Sequence, residues 1–248
     1  MAGETPQPQG SPDSWQRLHD DIVTCGACPR LVAWREQVAH EKRAAYRDQT
    51  YWGRPVPGFG DHRARLLVLG LAPAAHGANR TGRIFTGDRS GDWLYRGLHR
   101  AGLANQPTSD HAHDGLELAG VWVSAAVRCA PPGNQPTPAE RDACRPFLTR
   151  ELTLLDELQA VLCLGAFGWA AAVRELGARP APRFGHGAVA RLPWQGRTLT
   201  LVGSFHPSQQ NTFTGRLTET MFDEAIATAA DAAGLSRRGP RRGSAPSG

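Results

Sequence analysis

The sequence predicts an α/β fold, a parallel sheet with helices on both faces. Three observations carry that expectation. Four short apolar runs rich in Val and Leu occur at 66–70, 121–127, 161–165 and 198–203. Most are followed by helical stretches, near Asp92–Ala101, Pro138–Leu158 and Ala166–Leu176. Strands that alternate with helices need crossover connections, which give a parallel sheet covered on both sides. The least ordinary residues gather just past the carboxyl ends of the runs, at 71–83, 128–134 and 206–216, where open α/β sheets bind their ligands.

The remaining elements follow in chain order. Residues 1–12 and 236–248 are rich in Pro, Gly, Ser and Arg and are expected to be disordered, leaving 13–235 as one domain. Helices are expected over Ser14–Val23 and Leu31–Ala44, flanking a Cys25-Gly-Ala-Cys28-Pro29 corner. The Gly-, Pro- and aromatic-rich stretch 46–62 reads as an ordered loop. A last helix, Thr218–Ala233, begins with Thr218 as its N-cap. No apolar run, Arg65-Leu-Leu-Val-Leu-Gly70 included, is long enough to span a bilayer. The N-terminus lacks the pattern of a signal peptide. A cytoplasmic location is therefore expected, with no membrane partner.

The 248 residues carry a net charge of +5, which resembles a nucleic-acid footprint. Four arginines of the C-terminal tail (Arg237, Arg238, Arg241 and Arg242) supply most of it, so net charge alone is a weak indicator of DNA binding. Of the 28 Lys and Arg residues, only Lys42 is a lysine.

Five cysteines are too few and too unevenly placed for a secreted disulfide scaffold. Cys25 and Cys28 form a C-x2-C pair, and Cys129 and Cys144 follow a hundred residues later. The two pairs are able to complete fourfold thiolate ligation of one metal centre. Zinc and a [4Fe–4S] cluster both fit that count, and unrelated buried cysteines fit it as well. Cys163 lies within a core strand, where a small buried thiol is ordinary.

Residues 70–91 contain five glycines, Gly70 included, and a proline, a tight loop whose backbone can approach a ligand closely. The segment lacks the spacing of a nucleotide-binding loop. Phe85, set among glycines, is either a stacking platform for a base or an anchor of the loop to the core. His206 follows a strand and opens a polar segment with Ser208, Gln210, Asn211 and Arg216. Hydroxyl, amide and N–H groups of that kind hold nucleic-acid backbones.

Three segments together carry a specific resemblance: Gly70-Leu-Ala-Pro-Ala-Ala-His-Gly, Arg128-Cys-Ala-Pro-Pro-Gly-Asn-Gln-Pro-Thr-Pro138, and His206-Pro-Ser-Gln-Gln-Asn-Thr-Phe-Thr-Gly-Arg216. With the cysteine spacing they resemble the family 5 (type B) uracil-DNA glycosylases, from about Cys25 to Ile226. The resemblance implies a three-layer α/β/α sandwich around a four-stranded parallel sheet. It also implies a [4Fe–4S] cluster on Cys25, Cys28, Cys129 and Cys144, and excision of uracil from DNA by a monomer associated with the nucleoid.

Site roles are implied in the same way. His206 occupies the place of a histidine that bonds the base carbonyl, and Phe85 that of the aromatic stacked on the flipped base. Asp88 is the candidate for orienting water or stabilising the sugar cation, supported by Asn134; its other reading is a cap on the following helix. Gly70, Leu71, Ala72, Ala125 and Asn211 are expected to line the base pocket. Arg80, Arg83, Arg128 and Arg216, with Ser208 and Gln210, are expected on DNA, and Phe213 is a possible wedge. Compared with family 4, Leu71 stands in place of a water-activating Glu and Ala125 in place of a base-reading Asn. The second change opens the pocket to larger deaminated bases such as hypoxanthine.

A bifunctional enzyme that nicks DNA needs an amine for a Schiff base, and Lys42 lies far from the strand-end motifs. A monofunctional glycosylase is therefore expected. Two readings from other classes compete. A non-catalytic nucleic-acid-binding module accounts for the cysteines and arginines, but not for three polar loops converging on one sheet edge. A thiol redox enzyme has the C-x2-C pair, but not its setting after a first strand.

Overall fold

The computed structural model describes residues 13–236. The ends expected to be disordered lie outside the described residues, apart from Ser236. Two helices come first, α1 (Trp15–Val23) and α2 (Pro29–Glu41). The Ser14 hydroxyl accepts from the Arg17 N–H to start α1, and Pro29 opens α2 at a position where its missing N–H costs nothing. There follow β1 (Phe59–Gly60), β2 (Leu66–Gly70), α3 (Ala78–Thr81), α4 (Arg89–Arg100) and β3 (Val121–Ala125). The chain continues through α5 (Pro138–Leu154), β4 (Ala160–Leu164), α6 (Gly165–Glu175), β5 (Val189–Trp194), β6 (Arg197–Ser204), α7 (Gln209–Phe213) and α8 (Glu219–Ala232).

Among the described residues the sheet has six strands in the order β1-β3-β2-β4-β6-β5. The four expected strands, β3, β2, β4 and β6, form its parallel centre. The expected four-stranded sheet is thus extended by an antiparallel strand at each edge. Strand β5 escaped the sequence reading because its residues alternate between exposed and half-buried, as an edge strand does. It joins β6 through Gln195-Gly196, both at positive φ, the turn that matches the twist of a two-residue hairpin.

Every residue of β2, β3 and β4 is buried, which is why these strands read as continuous Val/Leu runs. On one face Trp93, Leu94 and Leu98 of α4 pack with Phe222 and Ile226 of α8. On the other, Leu148 and Leu152 of α5 pack with Trp169 and Val173 of α6. Each large side chain so buried contributes about 1.5–3 kcal/mol. Gly97 lets α4 and α8 meet, since a Cβ there would lie 2.5 Å from the Ile226 side chain. The result is the three-layer sandwich.

Register sets where the site forms. Gly70 pairs with Ala125, and Leu164 with Ser204, so the parallel strands end level at one edge. The motif loops all leave from there. No helix among the described residues is long and apolar enough to cross a membrane.

Candidate active site at the carboxyl edge of the sheet

The β2–β3 ladder runs past the strands, with the N–H groups of Ala126 and Val127 donating to the carbonyls of Gly70 (3.1 Å) and Leu71 (3.0 Å). Phe85 folds back over this end. A Cβ on Gly70 would lie 2.6 Å from the Phe85 ring, so only glycine leaves room for it. Phe85 has φ of 52°, a conformation costing a non-glycine residue on the order of 1–3 kcal/mol. Buried Ala125 shares its cluster. The anchor reading of Phe85 holds: the ring packs on the core and also faces His206, with centroids 6.0 Å apart and planes 29° from parallel.

His206 follows β6, and its backbone carbonyl accepts from Asn211 Nδ2 at 2.8 Å. Among the described residues no group hydrogen-bonds its ring nitrogens. Burial lowers the imidazole to about 4, so near neutral pH the ring is uncharged, with one N–H donor and one acceptor free. His186, absent from the sequence reading, braces the same junction. Its Nδ1 accepts from the Phe205 N–H at 3.2 Å, and its ring lies against Phe205 with centroids 5.1 Å apart. A lone histidine in a glycine-rich loop carries no signal that would have singled it out.

Asp88 does what its structural reading required, capping α4 by accepting the Gly91 N–H on Oδ1 at 3.0 Å. The capping oxygen is only one of two. Oδ2 lies against Gly77, where a Cβ would come within 2.1 Å. Burial raises the carboxyl above its ordinary value, opposed by the N–H groups of Gly91 and Ser90. Asn134 stands in an exposed turn at φ 57°, and its side chain has no hydrogen-bond partner among the described residues. No contact joins it to Asp88. Ala72 packs on the cysteine group rather than on Phe85, and Leu71 is half-buried.

Three of the four arginines expected on DNA are structural. Arg80 is 8% exposed and bonds the carbonyls of His76 (2.8 Å) and Gly87 (2.9 Å) and the Gln49 amide (2.6 Å), stacked over Tyr46. Arg83 holds Asp114 through two bonds of 2.8 and 2.6 Å and reaches Thr86 and Ser109. Burial works to raise the Asp114 carboxyl, but the Arg83 bonds and the Leu116 and Asp110 N–H groups outweigh it and hold the carboxyl well below its usual range. Arg128, 1% exposed, pairs with Glu151 at 2.6 and 3.0 Å and with Ser124. Each is a buried guanidinium whose neighbours were brought in by the tertiary fold, and none offers its charge to a phosphate.

Arg216 is exposed and stacks over Phe205 at 4.6 Å, with no ion pair among the described residues. A second such cation, missed in the sequence, is Arg89, which lies over the Phe213 ring at 4.3 Å. Phe213 is 67% exposed, as a wedge must be. Ser208 caps α7 through the Asn211 N–H, and Gln210 is exposed.

The cysteine set comes together below this edge. Cys25, Cys28, Cys129 and Cys144 line one small cavity with Leu31, Arg35 and Arg128. Burial pushes the Cys144 thiol up to about 11. Arg30 clamps Glu140 of α5 at 2.8 Å through two nitrogens, bracing the helix that carries Cys144 against α2. Among the described residues no three His, Cys, Asp or Glu side chains are grouped closely enough to hold a single metal ion. Cys163 is buried apart from the set, within the sheet core.

A family model described as the uracil-DNA glycosylase superfamily matches residues 57–230, which span all of these strand-end loops. The chain belongs to this superfamily. Within it, the chain is similar to the type-5 uracil-DNA glycosylase of Mycobacterium tuberculosis, at 58% identity over 91% of this chain and 84% of that protein. It is also similar to the type-5 uracil-DNA glycosylase of Thermus thermophilus, at 52% identity over 86% and 96%. A type-4 uracil-DNA glycosylase of Archaeoglobus fulgidus is 29% identical over 60% of each chain. The superfamily assignment agrees with the fold: a parallel sheet between helical layers, with the polar loops at its carboxyl edge.

Proposed function

We propose that this chain is a monofunctional DNA glycosylase that excises uracil, and larger deaminated bases such as hypoxanthine, leaving an abasic site for base excision repair. The observation that carries the reading is the pairing of Phe85 with an uncharged His206 whose ring nitrogens are free, in a chain of this superfamily. A flipped base stacks on Phe85, and the His206 N–H donates to a base carbonyl oxygen. As the bond from C1′ to the base nitrogen breaks, the electron pair leaves with the base and positive charge grows on the sugar. The His206 donor stabilises the anion. Ionised Asp88 stabilises the cation and orients the water whose oxygen bonds C1′. The water's proton ends on the departing base. Leu71 has no group able to act as a base, so this burden falls on Asp88.

Ala125 leaves the pocket without an amide to read the uracil edge, which supports the broad substrate range. Lys42 caps the end of α2 and spends its ammonium on the Arg47 carbonyl at 3.2 Å, which supports hydrolysis without a Schiff base. Arg89 and Arg216, with the α7 turn, would hold the DNA backbone of a substrate bound by a monomer.

Cys25, Cys28, Cys129 and Cys144 would hold a [4Fe–4S] cluster. The four residues line one cavity, and the choice of a cluster over zinc rests on the family resemblance. When bound, the cluster ties α2 and α5 to the loop after β3 and supplies no chemistry to the excised base.

The test is incision of labelled duplexes containing uracil or hypoxanthine by anaerobically purified protein, with alkali added only after the reaction. Alkali-dependent strand breaks on both are expected. Breaks without alkali, or a borohydride-trapped adduct, would contradict the monofunctional assignment. Ala125→Asn is expected to reduce hypoxanthine excision while sparing uracil; unchanged activity on both would remove the explanation of breadth. Iron and acid-labile sulfide measured on the same preparation test the cluster.

A further inference from the structure

The cysteine cavity is lined by two buried arginines that base excision does not use. Arg128 is matched by Glu151 at 2.6 Å. Among the described residues Arg35 has no buried counter-charge. It is 6% exposed on α2, and its Nη1 donates to Cys129 Sγ at 3.0 Å and to the Cys25 carbonyl at 3.3 Å. Its Nε has no hydrogen-bond partner among the described residues. The carboxylate within reach, Glu36, is 3.7 Å away and 61% exposed, so solvent screens it. A guanidinium buried in this way is costly unless the cavity it faces carries negative charge. Four cysteine thiolates around an iron–sulfur core bring such charge.

We propose that Arg35 is the counter-charge and hydrogen-bond donor for an iron–sulfur cluster on these cysteines, raising its reduction potential and slowing its oxidative loss. The proposal rests on the cluster reading above. Hydrogen bonds to cluster sulfurs and nearby charge are among the levers that set these potentials. A cation donating to a ligand sulfur favours the reduced, more electron-rich state. It also opposes removal of an electron by an oxidant. Arg35 touches the base-pocket loop as well, since its backbone carbonyl accepts from the buried Asn79 side chain on α3 at 3.1 Å. That link is made by the main chain and survives replacement of the guanidinium, so the readout is the cluster rather than glycosylase activity.

The experiment compares wild type, Arg35→Lys and Arg35→Met, purified anaerobically. Iron and sulfide content, the midpoint potential and the rate at which ferricyanide, a one-electron oxidant, bleaches the visible absorbance are measured for each. Arg35→Met is expected to show a more negative midpoint and to lose its cluster about 10-fold faster. Arg35→Lys, which keeps the charge but not the fork, is expected to fall between. If Arg35→Met does not fold, the Lys variant's midpoint decides, and it must lie below wild type. Midpoints and bleaching rates equal to those of a cluster-loaded wild type would overturn the proposal alone. Wild type lacking iron would overturn the cluster reading and the proposal with it.

Discussion

The loop after β2 and the loop after β6 both bring arginines to the same sheet edge, yet they use them in opposite ways. In the first, Arg80 and Arg83 turn inward and spend their donors on carbonyls, an amide and Asp114. They hold the loop in the strained form that sets Phe85 over Gly70. In the second, local bonds are made by Ser208 and Asn211, and Arg216 is left exposed against an aromatic face. The first loop spends its arginines on its own scaffold, whereas the second, which also carries His206, leaves its arginine on an exposed surface. What separates them is the supply of acceptors: a guanidinium folds inward where the tertiary structure brings it a carboxylate or carbonyls, and otherwise faces solvent.

Substitutions can break this contrast. The largest effect is expected for Asp88→Asn. Asparagine caps helices about as well as aspartate, so α4 should persist while single-turnover excision falls by roughly 10²–10⁴-fold. In the native enzyme, activity should decline with falling pH through the raised Asp88 carboxyl, above its ordinary 3.8. A variant retaining near-native rates would leave the helix cap as its sole role.

Arg83→Met tests the scaffold. Breaking a buried pair costs about 3–5 kcal/mol, so the urea midpoint should fall sharply and Asp114 should lose its depressed titration. If stability is unchanged and only DNA affinity suffers, the assignment of Arg83 to the scaffold is wrong.

The pH dependence of stability comes next. His206 has a folded value of about 4 against an ordinary 6.5, so the unfolded chain binds the proton more tightly. Stability is then lost as pH falls from about 6.5 towards 4, by at most about 3 kcal/mol. Denaturant titrations of His206→Gln across that range should show a shallower loss than the native chain, and parallel curves would refute the neutral imidazole.

The smallest effect belongs to the exposed surface of the second loop. Arg216→Ala should leave stability within about 0.5 kcal/mol and reduce the salt slope of DNA binding by about 1. An unchanged slope would remove Arg216 from the DNA interface.

The sequence by itself determined the parallel centre of the sheet, because strands buried on both faces must be apolar throughout. It also determined the Thr218 cap and the loops that carry Phe85, Asp88 and His206. Those features are written in local composition and spacing. The edge strand β5 was hidden because an exposed edge needs no apolar run. Which arginine is buried, which oxygen of Asp88 remains beyond its cap, and which histidine braces Phe205 were decided by the tertiary structure. Each of those outcomes depends on partners distant in sequence, such as Asp114 for Arg83 and Glu151 for Arg128. A side chain's charge is a local property, but its desolvation and its hydrogen-bond partners are set only when the chain closes around it.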